Sequence, residues 1–129
     1  MRRFFRRAPP RTLGRAGERR AARWLRRRGY RVLARNLHVG VGEADLVCRA
    51  PDKKTIVIVE VKTRRARDDG GFAPEVAVGA AKSRKLTLVA QSVMKQNRWT
   101  DRPVRIDVVA VTWSPGGVRV RHLPDAVRL

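Results

Sequence analysis

The stretch Thr55-Ile56-Val57-Ile58-Val59-Glu60-Val61-Lys62, preceded across a short polar turn by Gly42-Glu43-Ala44-Asp45-Leu46-Val47, constrains the fold of this chain more than any other. Successive side chains of a strand face opposite sides, so Ile56, Ile58, Glu60 and Lys62 share one face and Val57, Val59 and Val61 the other. A solvated edge strand alternates throughout; this one opens apolar on both faces and then runs into charge. Ala50-Pro51-Asp52-Lys53-Lys54 reads as the turn of an antiparallel hairpin. Centring the hairpin there sets Asp45 opposite Glu60 and Glu43 opposite Lys62, with all four on one sheet face. Directly opposed Cβ atoms lie about 4.5–5.5 Å apart, a spacing that suits two carboxylates gripping one divalent cation. The alternative is structural: a salt bridge between Glu60 and Lys62, or between Glu43 and Lys62.

The chain has 129 residues, enough for one domain with a modest core and too few for two comfortable ones. Its 31 Lys and Arg against 11 Asp and Glu give a formal net charge of +20, costly in self-repulsion unless a polyanion or counterions relieve it. Nucleic acid is the expected partner. Arginine outnumbers lysine 25 to 6, a ratio explained equally by phosphate recognition and by an arginine-biased coding composition. The single cysteine, Cys48, has no intrachain disulfide partner, which fits a reduced cytoplasm. Arg2-Arg3-Phe4-Phe5-Arg6-Arg7 is followed by Ala8-Pro9-Pro10-Arg11 where an export signal needs an apolar segment, so export is not expected. No apolar run approaches the roughly 20 residues that cross a bilayer. Contact of the basic start with anionic lipid is the weaker alternative.

Residues 1–11 are basic, contain two prolines and lack periodicity, which predicts a flexible arm ahead of a single domain over 12–129. Thr12 can cap a helix running to about Arg28, stopped by Gly29. On that helix Glu18 shares the inward stripe with Ala21, Ala22 and Leu25, while Arg15, Arg19, Arg23, Arg26 and Arg27 occupy other faces. On spacing alone, Glu18 serves equally as a neutraliser of neighbouring arginines or as a site acid. Tyr30 to Leu37 reads as a strand with Tyr30, Val32 and Ala34 on one side. After the hairpin, Arg64 to Pro74 holds Asp68-Asp69-Gly70-Gly71, a flexible polar loop. A second helix over Val78–Gln96 presents Lys82, Leu86, Val89, Ala90 and Val93 on one stripe. Strands follow over Arg102–Thr112 and Val118–Leu123, joined by the Ser114-Pro115-Gly116-Gly117 turn. His38 and His122 lack ligand spacing and are not assigned to metal; Trp24, Trp99 and Trp113 are too scattered for a stacking platform and read as packing residues.

The order helix, strand, hairpin, helix, strand, strand, with Glu18, Asp45 and Glu60-Val61-Lys62 at those places, resembles the PD-(D/E)xK nucleases. More closely it is similar to the small bacterial YraN family, relatives of archaeal Holliday junction resolvases. The matching stretches are Gly17-Glu18-Arg19-Arg20-Ala21-Ala22, Gly29 to Asn36, Gly42 to Val47, Val59 to Arg64, Pro74 to Val78 with Lys82, and Arg105 to Val109. Ala44 stands where the family usually has Ile, a packing change that leaves the carboxylates intact. The resemblance implies an α/β, restriction-endonuclease-like three-layer fold, with a mixed central sheet flanked by helices, and metal-dependent endonuclease chemistry on DNA, including branched or otherwise unusual DNA. It implies that Asp45, Glu60 and the Val61 carbonyl hold Mg²⁺ or Mn²⁺ through hard oxygen ligands. Lys62 would orient or help deprotonate the attacking water, Glu18 would reach the same centre, and Glu43 would support it by orienting Lys62. Lys82, Arg15, Arg64 and Arg65 are the candidate nucleic-acid contacts, and a homodimer is compatible with the family. The alternatives are a basic nucleic-acid-binding protein that keeps the nuclease fold without cutting, and a cationic partner of ribosomal RNA or membrane surfaces.

Overall fold

The computed structural model describes residues 13–66 and 78–129. The arm over 1–11, the Thr12 cap, the Asp68-Asp69-Gly70-Gly71 loop and Pro74 to Ala77 lie outside those residues. Among the described residues the order is α1 (Leu13–Arg27), β1 (Arg31–Val39), β2 (Gly42–Arg49), β3 (Ile56–Arg65), α2 (Ala80–Gln96), β4 (Val104–Ser114) and β5 (Gly117–Val127). The strands form one sheet in sequence order, antiparallel except for the β3–β4 pair, which is parallel and connected through α2. Parallel neighbours need such a crossover because a tight turn cannot reverse the chain twice. The result is the expected α/β architecture, a mixed sheet with a helix on each face.

The two faces hold separate cores. Ile56 and Ile58 pack with Leu86, Val89, Ala90 and Val93 of α2, whereas Val57 and Val59 pack with Ala21, Ala22 and Leu25 of α1. The period-2 pattern of β3 therefore meets the 3.6-residue stripes of both helices, as their sequences require. Gly17 allows α1 to approach β3 closely: a Cβ there would collide with Thr63 Oγ1 and lie 3.0 Å from its Cγ2. That contact brings the next residue, Glu18, to the sheet. Gly29, at φ +91°, ends the helix segment in a conformation that side chains resist.

The hairpin register matches the sequence expectation from Leu46↔Val59 to Arg49↔Ile56. Its turn is fastened by Asp52, whose carboxylate accepts from Lys54 N at 2.8 Å, Thr55 N at 2.9 Å and Thr55 Oγ1 at 2.6 Å. These bonds depress its pKa to about 2. Two strand expectations are corrected. Tyr30, Val32 and Ala34 do not share a face, because the register slips between Val32 and Ala34 and turns Leu33 and Ala34 toward the α2 core. The last strand is longer than Val118–Leu123 and passes through Pro124. As an edge strand it tolerates the missing N–H, and Asp107 Oδ1 accepts from Asp125 N at 2.9 Å beside the bulge between Ile106 and Val108.

Candidate metal centre

Beyond Leu46↔Val59 no further β2–β3 pair forms, so Asp45 and Glu60 face a fork between the two strands. Asp45 uses it: its Oδ2 accepts from Val61 N at 2.8 Å. In an extended strand the N–H and C=O of one residue project toward the same neighbour, so the Val61 carbonyl also faces the fork. Burial and the nearby Glu60 charge raise the Asp45 pKa to about 7, against the lowering effect of the Val61 N–H; Glu18 and Glu43 add to the rise. Glu60 is 7% exposed, and its Oε2 lies 3.5 Å from Lys62 Nζ and 3.3 Å from Lys82 Nζ.

Glu18 joins this group from α1. Burial raises its pKa, opposed by an Asn36 hydrogen bond and Arg15, while Glu43 and Glu60 push it further up. With its amide nitrogen turned to the helix, Asn36 donates to Glu18 Oε1 at 3.0 Å and accepts from Arg15 Nη1 at 2.9 Å. Asn36 has φ +49°, a left-handed conformation that asparagine tolerates better than most residues. Its signal in the sequence is a polar Asn inside an otherwise apolar and basic strand.

Glu43 does not share a simple sheet face with Asp45. Ala44 and Leu46, two residues apart, enter opposite cores, so alternation fails across Asp45, level with the left-handed Asn36 on the neighbouring strand. Glu43 has His38 as its ion-pair partner, not the Lys62 that the hairpin register set opposite it. With β2 and β3 parted, it is held in the β1–β2 ladder opposite His38, whose Nδ1 lies 3.2 Å from Glu43 Oε2. Lys82, on the same stripe of α2 as Leu86, lies against Glu60. Arg64 and Arg65 stand exposed at the far end of β3, past Lys62, and Arg15 is half-buried beside Asn36 and Glu18.

The residues present fit a divalent cation in donor chemistry. Asp45 and Glu60 are hard oxygen ligands whose charges repel, and a cation between them would relieve the cost that raises Asp45. Among the described residues, no three His, Cys, Asp or Glu side chains already converge as a ligand set. The Cys48 thiol, on the same strand as Asp45, is buried and pushed up to about 12, which makes it inert. Among the described residues no helix is long and apolar enough to cross a membrane.

Relatives of similar length exist in several bacteria. A UPF0102 protein of Anaeromyxobacter dehalogenans is 44% identical over 114 residues, spanning 88% of this chain and 82% of its own. One from Symbiobacterium thermophilum is 43% identical over 117 residues, 90% of this chain and 96% of that one. Among solved structures, an EndoMS-dsDNA2 complex aligns with 86% of this chain and 41% of its own, at 17% identity and a TM-score of 0.44. The family model described as "Uncharacterised protein family UPF0102" matches residues 17–111, and the chain belongs to that family, the one anticipated from the sequence under the name YraN.

Proposed function

We propose that the chain is a divalent-metal-dependent DNA endonuclease centred on Asp45, Glu60 and Lys62, acting on branched or otherwise unusual DNA. The observation that carries this reading is the strand fork. There a half-buried, desolvated carboxylate, raised to about 7 by its surroundings, sits with the buried acid Glu60 and a backbone carbonyl. Asp45, Glu60 and the Val61 carbonyl would hold Mg²⁺ or Mn²⁺, which when bound activates water and neutralises charge on the reacting phosphate. Lys62, half-exposed beside Glu60, donates hydrogen bonds to the attacking water or to a phosphate oxygen. Glu18, raised by burial, can hold a proton at its carboxyl oxygen nearer neutrality than an exposed glutamate does. Lys82, Arg15, Arg64 and Arg65 place positive charge around the acids and draw the DNA backbone to them.

A second reading, a DNA-binding protein that does not cut, is favoured by one observation. Glu60 already has two ammonium groups within 3.5 Å, so its charge is compensated without a metal. Calorimetric Mn²⁺ titration, with cleavage of matched single-stranded, duplex, flap and four-way-junction DNA, separates the two. The nuclease reading expects Mn²⁺ binding and cleavage in the parent. Both should be lost in Asp45→Asn and Glu60→Gln, with metal-free DNA affinity equal or higher because a charge that repels phosphate is gone. Unaltered Mn²⁺ binding in both variants, coupled to large stability losses, removes it.

A further inference from the structure

On the other flank of α1 a cleft of ≈ 180 Å³ opens between the helix and β5, lined by Arg20, Arg23, Trp24, Arg27, Val118 and Val120. We propose that it is a second phosphodiester-binding site, which takes the backbone of a nucleic-acid strand independently of the carboxylate centre. Glu18 and Arg27 are nine residues apart, about two and a half helical turns, so they project from opposite sides of α1. Glu18 faces Asn36 of β1, and the cleft faces β5. A strand seated in the cleft is therefore not the segment at Asp45 and Glu60.

The lining is matched to an anion. Arg20, Arg23 and Arg27 stand at i, i+3 and i+7, and among the described residues no carboxylate pairs with them. Like charges three and four residues apart repel by about 0.2–0.5 kcal/mol per pair, a cost that an anion converts to attraction. The helix C-terminus contributes a partial charge of only about −0.5, which cannot offset three guanidinium groups. Arg20 to Arg27 spans roughly 10 Å of helix, about three phosphate steps of one DNA strand. Asp107, the buried acid on the strand next to β5, is committed to Arg105, His122 and Asp125 N.

Nucleic acid suits this cleft better than a lipid surface does. Its apolar residues, Trp24, Val118 and Val120, are all half-buried, whereas membrane-surface helices project Leu, Phe or Trp outward. Trp24 forms a fixed wall: the Arg28 guanidinium lies 3.5 Å from its ring centroid, and its ring meets His122 edge-on at 5.5 Å.

The test is the salt dependence of binding of the full chain to a labelled duplex, followed by anisotropy. Each phosphate neutralised contributes about −0.9 to the slope of log K against log salt. The triple variant Arg20→Gln, Arg23→Gln, Arg27→Gln keeps helix propensity and should flatten the slope by about 2–3. The equally discharged control Arg31→Gln, Arg98→Gln, Arg128→Gln, all exposed elsewhere, should change it by less than about 1. Equal flattening in both overturns the proposal, leaving only net charge. So does an unchanged DNA slope in the cleft variant, whether or not it loses binding to phosphatidylserine vesicles. Should the triple variant lose cooperative unfolding, Arg23→Gln alone is expected to flatten the slope by about 0.9, and no change there overturns the proposal. Glu60→Gln leaves the effect intact, so failure of the nuclease reading and failure of the cleft give different results.

Discussion

Two desolvated acids of this sheet have opposite fates. Asp107, 0% exposed, accepts from Arg105 Nε and Nη2 at 2.8 Å each, from His122 Nε2 at 2.7 Å and from Asp125 N at 2.9 Å. Desolvation works to raise its pKa, yet the bonds from His122, Arg105 and Asp125 win and lower it. Asp45 has one backbone donor and three acidic neighbours, and it rises to about 7. Desolvation is common to both, so desolvation alone does not mark a functional acid. The difference is compensation. Asp107 is satisfied by its own fold and fixes the β4–β5 bulge, whereas Asp45 is left with a debt of charge that a ligand can relieve.

The largest effect that could break this comparison is at Asp107. Asp107→Asn keeps the shape but strips the partly buried Arg105 of its counter-ion, and removing one member of such a pair costs about 3–5 kcal/mol. Urea unfolding should register that loss, while Mn²⁺ titration stays at the parent value. A near-neutral Asp107→Asn would mean that the network is not the structural anchor described.

Asp45→Asn should move stability the other way. The folded-state pKa lies above the ordinary carboxylate value, so below about pH 4 Asp45 is protonated folded or unfolded and the substitution gains nothing. As pH rises from about 4 to 7 the unfolded chain sheds the proton while the folded chain retains it, and the parent loses stability. Above about 7 the cost is complete. Without metal, Asp45→Asn should therefore exceed the parent by about 1–3 kcal/mol at pH 8, with the gap closing by pH 4. A destabilised Asp45→Asn at pH 8 would place Asp45 in the same class as Asp107.

The legible part of the fold was the part governed by simple periodicity. The hairpin register followed from the turn at Ala50–Lys54 and the apolar run of β3, and the α2 stripe from Leu86, Val89, Ala90 and Val93. What escaped was where periodicity is interrupted. The slip at Leu33, the left-handed Asn36 and the reversal across Asp45 each turn side chains out of the face that alternation assigns. Glu43 was accordingly set against Lys62 instead of His38. The Asp107 network was invisible for a different reason: Arg105, Asp107 and His122 lie on two strands, and Tyr30, which accepts from Arg105 Nη2 at 2.8 Å, lies on a third segment. Glu60 and Asp107 look alike in sequence, each an acid inside an apolar strand, and only the partners supplied by the fold tell them apart.

The smallest expected effect is the one that sharpens this distinction most, because it carries opposite signs in two measurements. Lys82 Nζ lies 3.3 Å from Glu60 Oε2 and is about half-exposed, and pairs of that exposure contribute about 0.2–1 kcal/mol. If Glu60 is a metal ligand, the ammonium competes with the cation for the same oxygen. Lys82→Met should then raise Mn²⁺ affinity by roughly 1.4–5-fold, the same energy at 1.4 kcal/mol per tenfold. The same variant should weaken metal-free DNA binding and flatten its salt slope by up to about 0.9, since one cation facing phosphate is gone. If Lys82 instead compensates Glu60 as Arg105 compensates Asp107, Mn²⁺ affinity stays put and stability falls. Calorimetry and anisotropy on one preparation decide between them: tighter metal with weaker DNA places Glu60 with Asp45, and lost stability alone places it with Asp107.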